Sequence, residues 1–276
     1  MYLPTASGRL YLEIDWARTQ AETVVLLHGM GSCGEDWLLQ RAALRGRYHL
    51  LVLDLPGHGH SRRLIGWPGV PALAQAAQQA IERWTPARPV HLVGLSLGAV
   101  VSLQLLVDCP DDFRSAVIVN GFASGALAGR GVRHALERGA LIAGGRMDLL
   151  GERIAGGLFP HPEQAAYRSL AARRIGANPR SNYLRLLLAL GRFDLRAHLG
   201  TIRCPVLLLN GELDDTVPAA AARDLARRIP NAKWITVPNA KHAAPIDSAA
   251  AVNAHLLDFL DAVRMENASG RSEARF

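Results

Sequence analysis

The sequence predicts an α/β protein: a mostly parallel sheet flanked by helices, with a helical segment inserted between core strands. Three observations predict it. Continuously apolar runs of strand length recur between Gly, Pro and Asp punctuation, as strands buried on both faces do. Helix-length segments separate those runs, which is the alternation of a parallel sheet with crossover helices. Residues 122–199 then break the rhythm: they are rich in Ala, Leu and Arg, carry Gly and Pro interruptions, and contain no strand-length β-branched run.

Taken in chain order, Tyr11-Leu12-Glu13-Ile14-Asp15 alternates apolar and polar side chains and reads as an antiparallel edge. Residues 24–27 and 49–53 read as buried parallel strands, with a helix over 36–44 between them. A helix over 71–84 leads to a strand at 90–93, a helix over 97–107 and a strand at 116–119. After the insertion the same pattern returns, with strands at 206–210 and 234–237 followed by helices around 219–229 and 248–263. The expected organisation is a core of 1–121 and 200–264, a helical cap of 122–199, and a polar, disordered tail at 265–276.

With 49% hydrophobic and 20% charged residues over 276 positions, the composition is globular and excludes a disordered, collagen-like or coiled-coil chain. That length suits one large domain carrying an insertion. No apolar run approaches the ~18 residues of a membrane span, and the N-terminus lacks the basic-then-apolar pattern of a signal peptide. No membrane span and a cytoplasmic location are therefore expected. Cys33, Cys109 and Cys204 are widely spaced, odd in number and without a C-x-x-C pair, which argues for free thiols and against a disulfide framework or a zinc site.

Gly94-Leu95-Ser96-Leu97-Gly98 follows one predicted strand and opens the next predicted helix, the setting a G-x-S-x-G nucleophile elbow requires. The tight turn forces the serine into a strained backbone conformation. Only small flanking residues let strand and helix approach that closely, hence Gly94 and Gly98. Ser96 then sits at a helix N-terminus, where backbone N–H groups favour developing negative charge.

A competing motif lies upstream. Gly29-Met30-Gly31-Ser32-Cys33-Gly34 is a literal G-x-G-x-x-G between strand and helix, and Asp54 closes the next strand, where a dinucleotide fold places its ribose-binding acid. Yet the helix that would receive a pyrophosphate opens with Glu35 and Asp36, two carboxylates that would repel it. The same loop serves a serine nucleophile instead, because the oxyanion of a tetrahedral intermediate needs one donor from the residue after the serine and a second from a loop after an earlier strand.

Through the strand-H-G-x-G at 28–31, the D-L-P-G-H-G-H-S at 54–61 and the elbow at 94–98, the chain resembles the α/β-hydrolase superfamily over roughly residues 10–120 and 200–264. The resemblance implies an α/β-hydrolase fold and oxyanion donors at the backbone N–H groups of Met30 and Leu97. It also gives His28 and Gly29 a part in shaping the oxyanion loop, without proton transfer by His28. Gly211-Glu212-Leu213-Asp214-Asp215-Thr216-Val217-Pro218 is similar to the family's acid loop, with Asp214 at the acid position. Asp215 is expected to cap the following helix, and Glu212 is the third candidate. His242, in Asn239-Ala240-Lys241-His242, matches the general base, although Lys241 replaces the Gly often found there and its long stem is expected to reach solvent. His58 and His60 read as loop residues and His91 as a strand residue.

A serine rather than an aspartate at the elbow implies an acyl-enzyme. The expected reaction is hydrolysis of an ester, thioester or lactone by Ser96, with His242 as base and Asp214 orienting it, and with no metal or cofactor. The nearest resemblances are to pimeloyl-acyl-carrier methyl ester esterases and enol-lactone hydrolases. Carbon–carbon bond hydrolases and acyltransferases share the triad and stay open, and an NAD-binding protein acting through 29–34 is the alternative from another class.

Charge bears on the substrate. The formal net charge is +7, and residues 121–200 hold 12 Arg against 5 carboxylates, leaving 19 basic and 19 acidic residues elsewhere. Arg130, Arg133, Arg138, Arg146 and Arg153 fall on potential helix faces. They either attract an anionic small-molecule ester or an acidic carrier protein, or solvate an apolar lid. Nucleic acid is not an expected partner, because Phe122, Phe159, Tyr167, Tyr183 and Phe193 sit in apolar company instead of alternating with basic residues.

Overall fold

A computed structural model describes residues 1–18, 20–125 and 130–273, and the side chains of 130–135 and 267–273 lie outside that description. In chain order the elements are β1 (Tyr2–Thr5), β2 (Gly8–Asp15), β3 (Thr23–Leu27), α1 (Leu38–Leu44), β4 (His49–Asp54), α2 (Val70–Trp84), β5 (Val90–Leu95), α3 (Leu97–Asp108) and β6 (Phe113–Val119). Four helices follow: α4 (Arg130–Ala143), α5 (Met147–Leu158), α6 (Ala165–Gly176) and α7 (Arg180–Gly191). The chain then returns through β7 (Val206–Gly211), α8 (Ala219–Arg228), β8 (Ala232–Val237), α9 (Ala244–Asp247) and α10 (Ala249–Glu273).

Among the described residues eight strands make one sheet in the order β1-β2-β4-β3-β5-β6-β7-β8. β1 and β2 form an antiparallel hairpin, β2 pairs antiparallel with β4, and β4 through β8 run parallel. The predicted edge at 11–15 thus extends back to Gly8 and gains β1 as a partner. Pro4 and the short Ala6-Ser7 link mask the alternation of β1, which is held by pairing of Tyr2 with Tyr11, their rings edge-to-face at 5.2 Å. β3 and β4 are buried along their whole length, and β6 everywhere but at Arg114, because helices cover both faces of the sheet. α3 is buried from Leu97 to Leu106, since a helix apolar on all sides needs neighbours on all sides: the sheet on one side, α2 on the other.

Two helix expectations change. The one placed over 36–44 begins as a tighter turn, Gly34–Trp37, because Gly34 must lie against β4; a Cβ there would come within 2.7 Å of Val52 Cγ1. The segment expected to be a disordered tail, 265–276, instead extends α10 to Glu273, while 274–276 lie outside the described residues. Val252, Leu256 and Leu260 anchor α10 in the core, so the helix is already nucleated. Extending it then needs only one residue's ordering per added bond.

Sheet order locates the site. The chain moves from β3 to β4 on one side and then back to β5 on the other, so the carboxyl ends of β3 and β5 flank a topological switch point, where ligands bind in open α/β sheets. Residues 28–31 leave β3 there, and Ser96 leaves β5 there. Among the described residues no helix is long and apolar enough to cross a membrane.

Candidate active site

Ser96 occupies the turn between β5 and α3 with φ 53° and ψ −108°. A side chain rarely adopts this region, and holding it there costs on the order of 1–3 kcal/mol. Two backbone bonds hold the turn: Ser96 N–H donates to the Val119 carbonyl at 3.0 Å, and the Ser96 carbonyl accepts from Val100 N–H at 3.0 Å. Close approach explains the flanking glycines. A Cβ on Gly98 would lie 1.9 Å from the Leu27 carbonyl oxygen, and one on Gly94 would lie 2.4 Å from the Gly98 carbonyl oxygen.

Asp214 and His242 come from the loops after β7 and β8. His242 Nδ1 and Asp214 Oδ2 are 2.7 Å apart, and the Asp214 side chain is fully buried. Its other oxygen accepts the backbone N–H groups of Thr216 at 2.8 Å and Val217 at 3.0 Å. Asp215 does not cap α8, whose N-cap is Pro218. It is exposed, and the Lys241 ammonium lies 3.7 Å from its carboxylate. That lysine therefore turns toward the surface acid. Glu212 accepts the Asn239 N–H at 2.9 Å, tying the acid and histidine loops together.

Asn120 is a positioning residue that the sequence reading passed over. It directly follows β6, buried, with φ 48°. Its Nδ2 donates to the His242 carbonyl at 2.9 Å, and its Oδ1 accepts Gly211 N–H at 2.9 Å. One side chain thus spans β7 and the histidine loop. The available signal is an Asn directly after a buried apolar strand, a residue type tolerant of positive φ.

His28 is buried, and its Nε2 accepts Leu55 N–H at 2.9 Å, which leaves Nδ1 to donate to the Gly29 carbonyl at 2.7 Å. Burial pushes its pKa down, so the ring is neutral at neutral pH. By holding the Gly29 carbonyl it also turns the other side of that planar peptide, the Met30 N–H, the opposite way. Among the described residues neither Met30 N–H nor Leu97 N–H donates to a protein acceptor.

The G-x-G-x-x-G is committed to the same architecture. Gly31 has φ +79°, a conformation that favours glycine. Asp54 is buried; it accepts Gly34 N–H at 2.7 Å and His60 N–H at 2.7 Å, so it clamps the two loops together. The reason given against a pyrophosphate changes: Glu35 and Asp36 are not bare, because Arg174 of α6 pairs with both and Ser32 donates to Asp36. What stands against a dinucleotide there is that Gly34 N–H and Asp54 already have partners.

Ser96, His242, Gly29 and Met30 line one cavity of about 790 Å³, whose walls also include Phe122, Phe159 and Tyr183. α6 and α7 are latched to the core by Asn178 Nδ2 on the Gly31 carbonyl at 3.0 Å and Asn182 Nδ2 on the Arg62 carbonyl at 2.6 Å. His91 is a buried strand residue, 2.8 Å from Ser115 Oγ. Among the described residues the three cysteines are free and no cluster of His, Cys, Asp and Glu is arranged to hold a metal ion. Burial pushes the Cys33 thiol up to about 12, so it is not a nucleophile at neutral pH.

His58, buried 5.1 Å from the His28 ring, has its pKa pushed down to about 3, by burial first and by His28 second. An unfolded histidine titrates near 6.5. Between those values the unfolded chain binds a proton that the folded protein refuses, so stability is full above about pH 6.5 and falls as pH drops toward 3. His58→Gln is expected to lose about 2–3 kcal/mol less than wild type between pH 7 and 4.5. Urea midpoints at both pH values read this out, and equal losses in the two proteins would remove His58 as the cause.

The family model described as Alpha/beta hydrolase family matches residues 24–255, and the chain belongs to that family. Among curated relatives, "Putative carbamate hydrolase RutD" of Klebsiella pneumoniae (strain 342) is 31% identical over 252 residues, covering 88% of this chain and 92% of the relative. The protein of that name from Escherichia coli (strain K12 / DH10B) is 30% identical over 251 residues, covering 87% and 91%. Among solved structures, the enol-lactonase from Burkholderia xenovorans LB400 superposes with TM-score 0.86 at 23% identity over 95% of this chain and 100% of that one. A thermophilic esterase from Thermogutta terrifontis superposes with TM-score 0.84 at 20% identity over 95% and 98%. Hydrolysis is the chemistry these relatives share by name, and the chain is a hydrolase.

Proposed function

We propose that this hydrolase cleaves a carboxylic ester, lactone or thioester through an acyl-enzyme on Ser96. The observation that carries the reading is the 2.7 Å His242–Asp214 hydrogen bond on a cavity that Ser96 also lines. With Nδ1–H donated to Asp214, His242 keeps its Nε2 lone pair free to take the Ser96 proton as Oγ attacks the carbonyl carbon. The oxyanion then faces the N–H groups of Met30 and Leu97. Collapse of the intermediate expels the leaving group, which takes the proton from Nε2, and water repeats the cycle to free the acid. Residues 122–199 act as the lid that excludes bulk water and lines the substrate's path.

A second reading, a carbamate ester as substrate, is favoured by the names of the curated relatives. It uses the same groups and forms a carbamoyl-enzyme. The experiment is turnover of p-nitrophenyl acetate, butyrate and octanoate beside p-nitrophenyl N-methylcarbamate. Release of p-nitrophenol above the buffer rate is expected, with higher kcat/KM for at least one ester than for the carbamate. A reversed preference supports the carbamate reading, and no turnover of any of the four overturns both.

A further inference from the structure

The excess of arginine in 121–200 resolves into individual partners. Arg153 pairs with Glu137 at 2.7 Å, Arg146 with Asp148 at 3.4 Å, Arg196 with Asp194 at 2.5 Å, and Arg174 with Glu35 and Asp36. Arg185 donates to the Leu64 and Gly66 carbonyls. The side chains of Arg130 and Arg133 lie outside the described residues. Most of these guanidinium groups are thus answered within the fold.

Two that line the cavity holding Ser96 and His242 are not: Arg192, which is exposed, and Arg138, which is half-buried on α4; neither side chain has an ion-pair or hydrogen-bond partner among the described residues. Asp36 is the carboxylate on that cavity's wall, and Arg174 and Ser32 already hold it. The walls of this cavity are largely apolar, with Leu136, Ile154 and Leu187 among their residues. A cation in such a setting is incompletely solvated and lacks a counter-charge.

A second feature lines the same cavity. Tyr183 is 3% exposed and lines the cavity, yet its hydroxyl has no partner among the described residues. Its ring stands against the oxyanion loop, where a Cβ on Gly31 would be 3.3 Å from Tyr183 Cε2. Burial pushes the phenol pKa up, and the opposing influence is the charge of Arg138. Tyr183 is therefore a neutral O–H donor on the cavity that Arg138 also lines, with the oxyanion loop against its ring.

We infer that Arg138 and Tyr183 form an anion-recognition subsite of this cavity, and that the natural substrate carries a free carboxylate. A planar carboxylate accepts two parallel N–H bonds from a guanidinium and a third from a phenol, and it supplies the charge the cavity lacks. The inference rests on the hydrolase reading above for its reaction, but its binding claim can be read without turnover.

The experiment uses the Ser96→Ala protein and measures binding of monomethyl glutarate, whose carboxylate is on the acyl side, of 4-acetoxybutyrate, whose carboxylate is on the alcohol side, and of neutral dimethyl glutarate. At least one anion is expected to bind about 10- to 100-fold more tightly than the neutral diester, and which one does so assigns the carboxylate to its side of the scissile bond. Arg138→Met in the same background removes that preference, Arg138→Lys keeps part of it, and Arg153→Met keeps it whole. The lysine variant and an unfolding midpoint for each protein separate lost recognition from lost folding. Equal affinity for all three ligands, or a preference that survives Arg138→Met, overturns the subsite. An anion preference in a protein whose wild type hydrolyses no ester instead overturns the reaction assigned to Ser96 and leaves the subsite standing.

Discussion

Replacing Ser96 with alanine is expected to reduce ester kcat/KM by about a thousandfold or more while leaving the fold unchanged. Only the nucleophilic oxygen is lost. The hydroxyl makes no capping bond to α3, and the strained φ of 53° is carried equally by Ala, because both residues bear one Cβ. The two hydrogen bonds that hold the turn are backbone bonds and remain. Unfolding free energy should therefore move by no more than about 0.5 kcal/mol. Residual rate above the buffer reaction would come from the oxyanion donors and from binding. Wild-type kcat/KM in the variant would sink the acyl-enzyme mechanism outright.

Asp214→Asn is expected to lower kcat by about 10³- to 10⁴-fold, and the geometry gives the reason. The backbone N–H groups of Thr216 and Val217 both point at Oδ1 and demand an acceptor there. An asparagine must place its carbonyl oxygen at that position, which puts its NH₂ opposite His242 Nδ1. Nδ1 then accepts, the proton moves to Nε2, and the imidazole presents a donor where it should present a base. KM should change little by comparison, because Asp214 lies behind the histidine and does not line the cavity. Asp215→Asn is the internal comparison: an exposed carboxylate 3.7 Å from Lys241 Nζ contributes little, and less than about fivefold is expected. The reverse ranking of the two variants would move the acid by one position.

The elements that announce themselves in the chain are those whose cause is local. An apolar run buried on both faces, a glycine pair that lets strand and helix touch, and a turn at a strand's end are written in consecutive residues. That is why β3 through β8, the elbow at Ser96 and the loops carrying Asp214 and His242 are legible in order along the sequence. β1 is less so, since Pro4 and a four-residue length leave too short an alternation to recognise without its partner β2.

Taken alone, the sequence therefore determined a parallel α/β core and which loops stand at its strand ends, because burial and backbone conformation impose a period and a punctuation on neighbouring residues; the α/β-hydrolase family came from the resemblance carried by the motifs at 28–31, 54–61 and 94–98. Tertiary structure alone decided what those loops hold on to. Asn120 reaches His242, 122 residues away, and Asn182 reaches Arg62, 120 residues away. Asp54 clamps Gly34 rather than a ribose, and Arg174 cancels the two carboxylates that made the same loop look hostile to anions. The charge of the helical segment was countable, but only its packing separates the arginines that meet a carboxylate, such as Arg153 and Arg174, from those that meet none, Arg138 among them. Hydrogen bonds and ion pairs join atoms within about 3 Å regardless of how much chain lies between them, and no local pattern records which distant atoms will come that close.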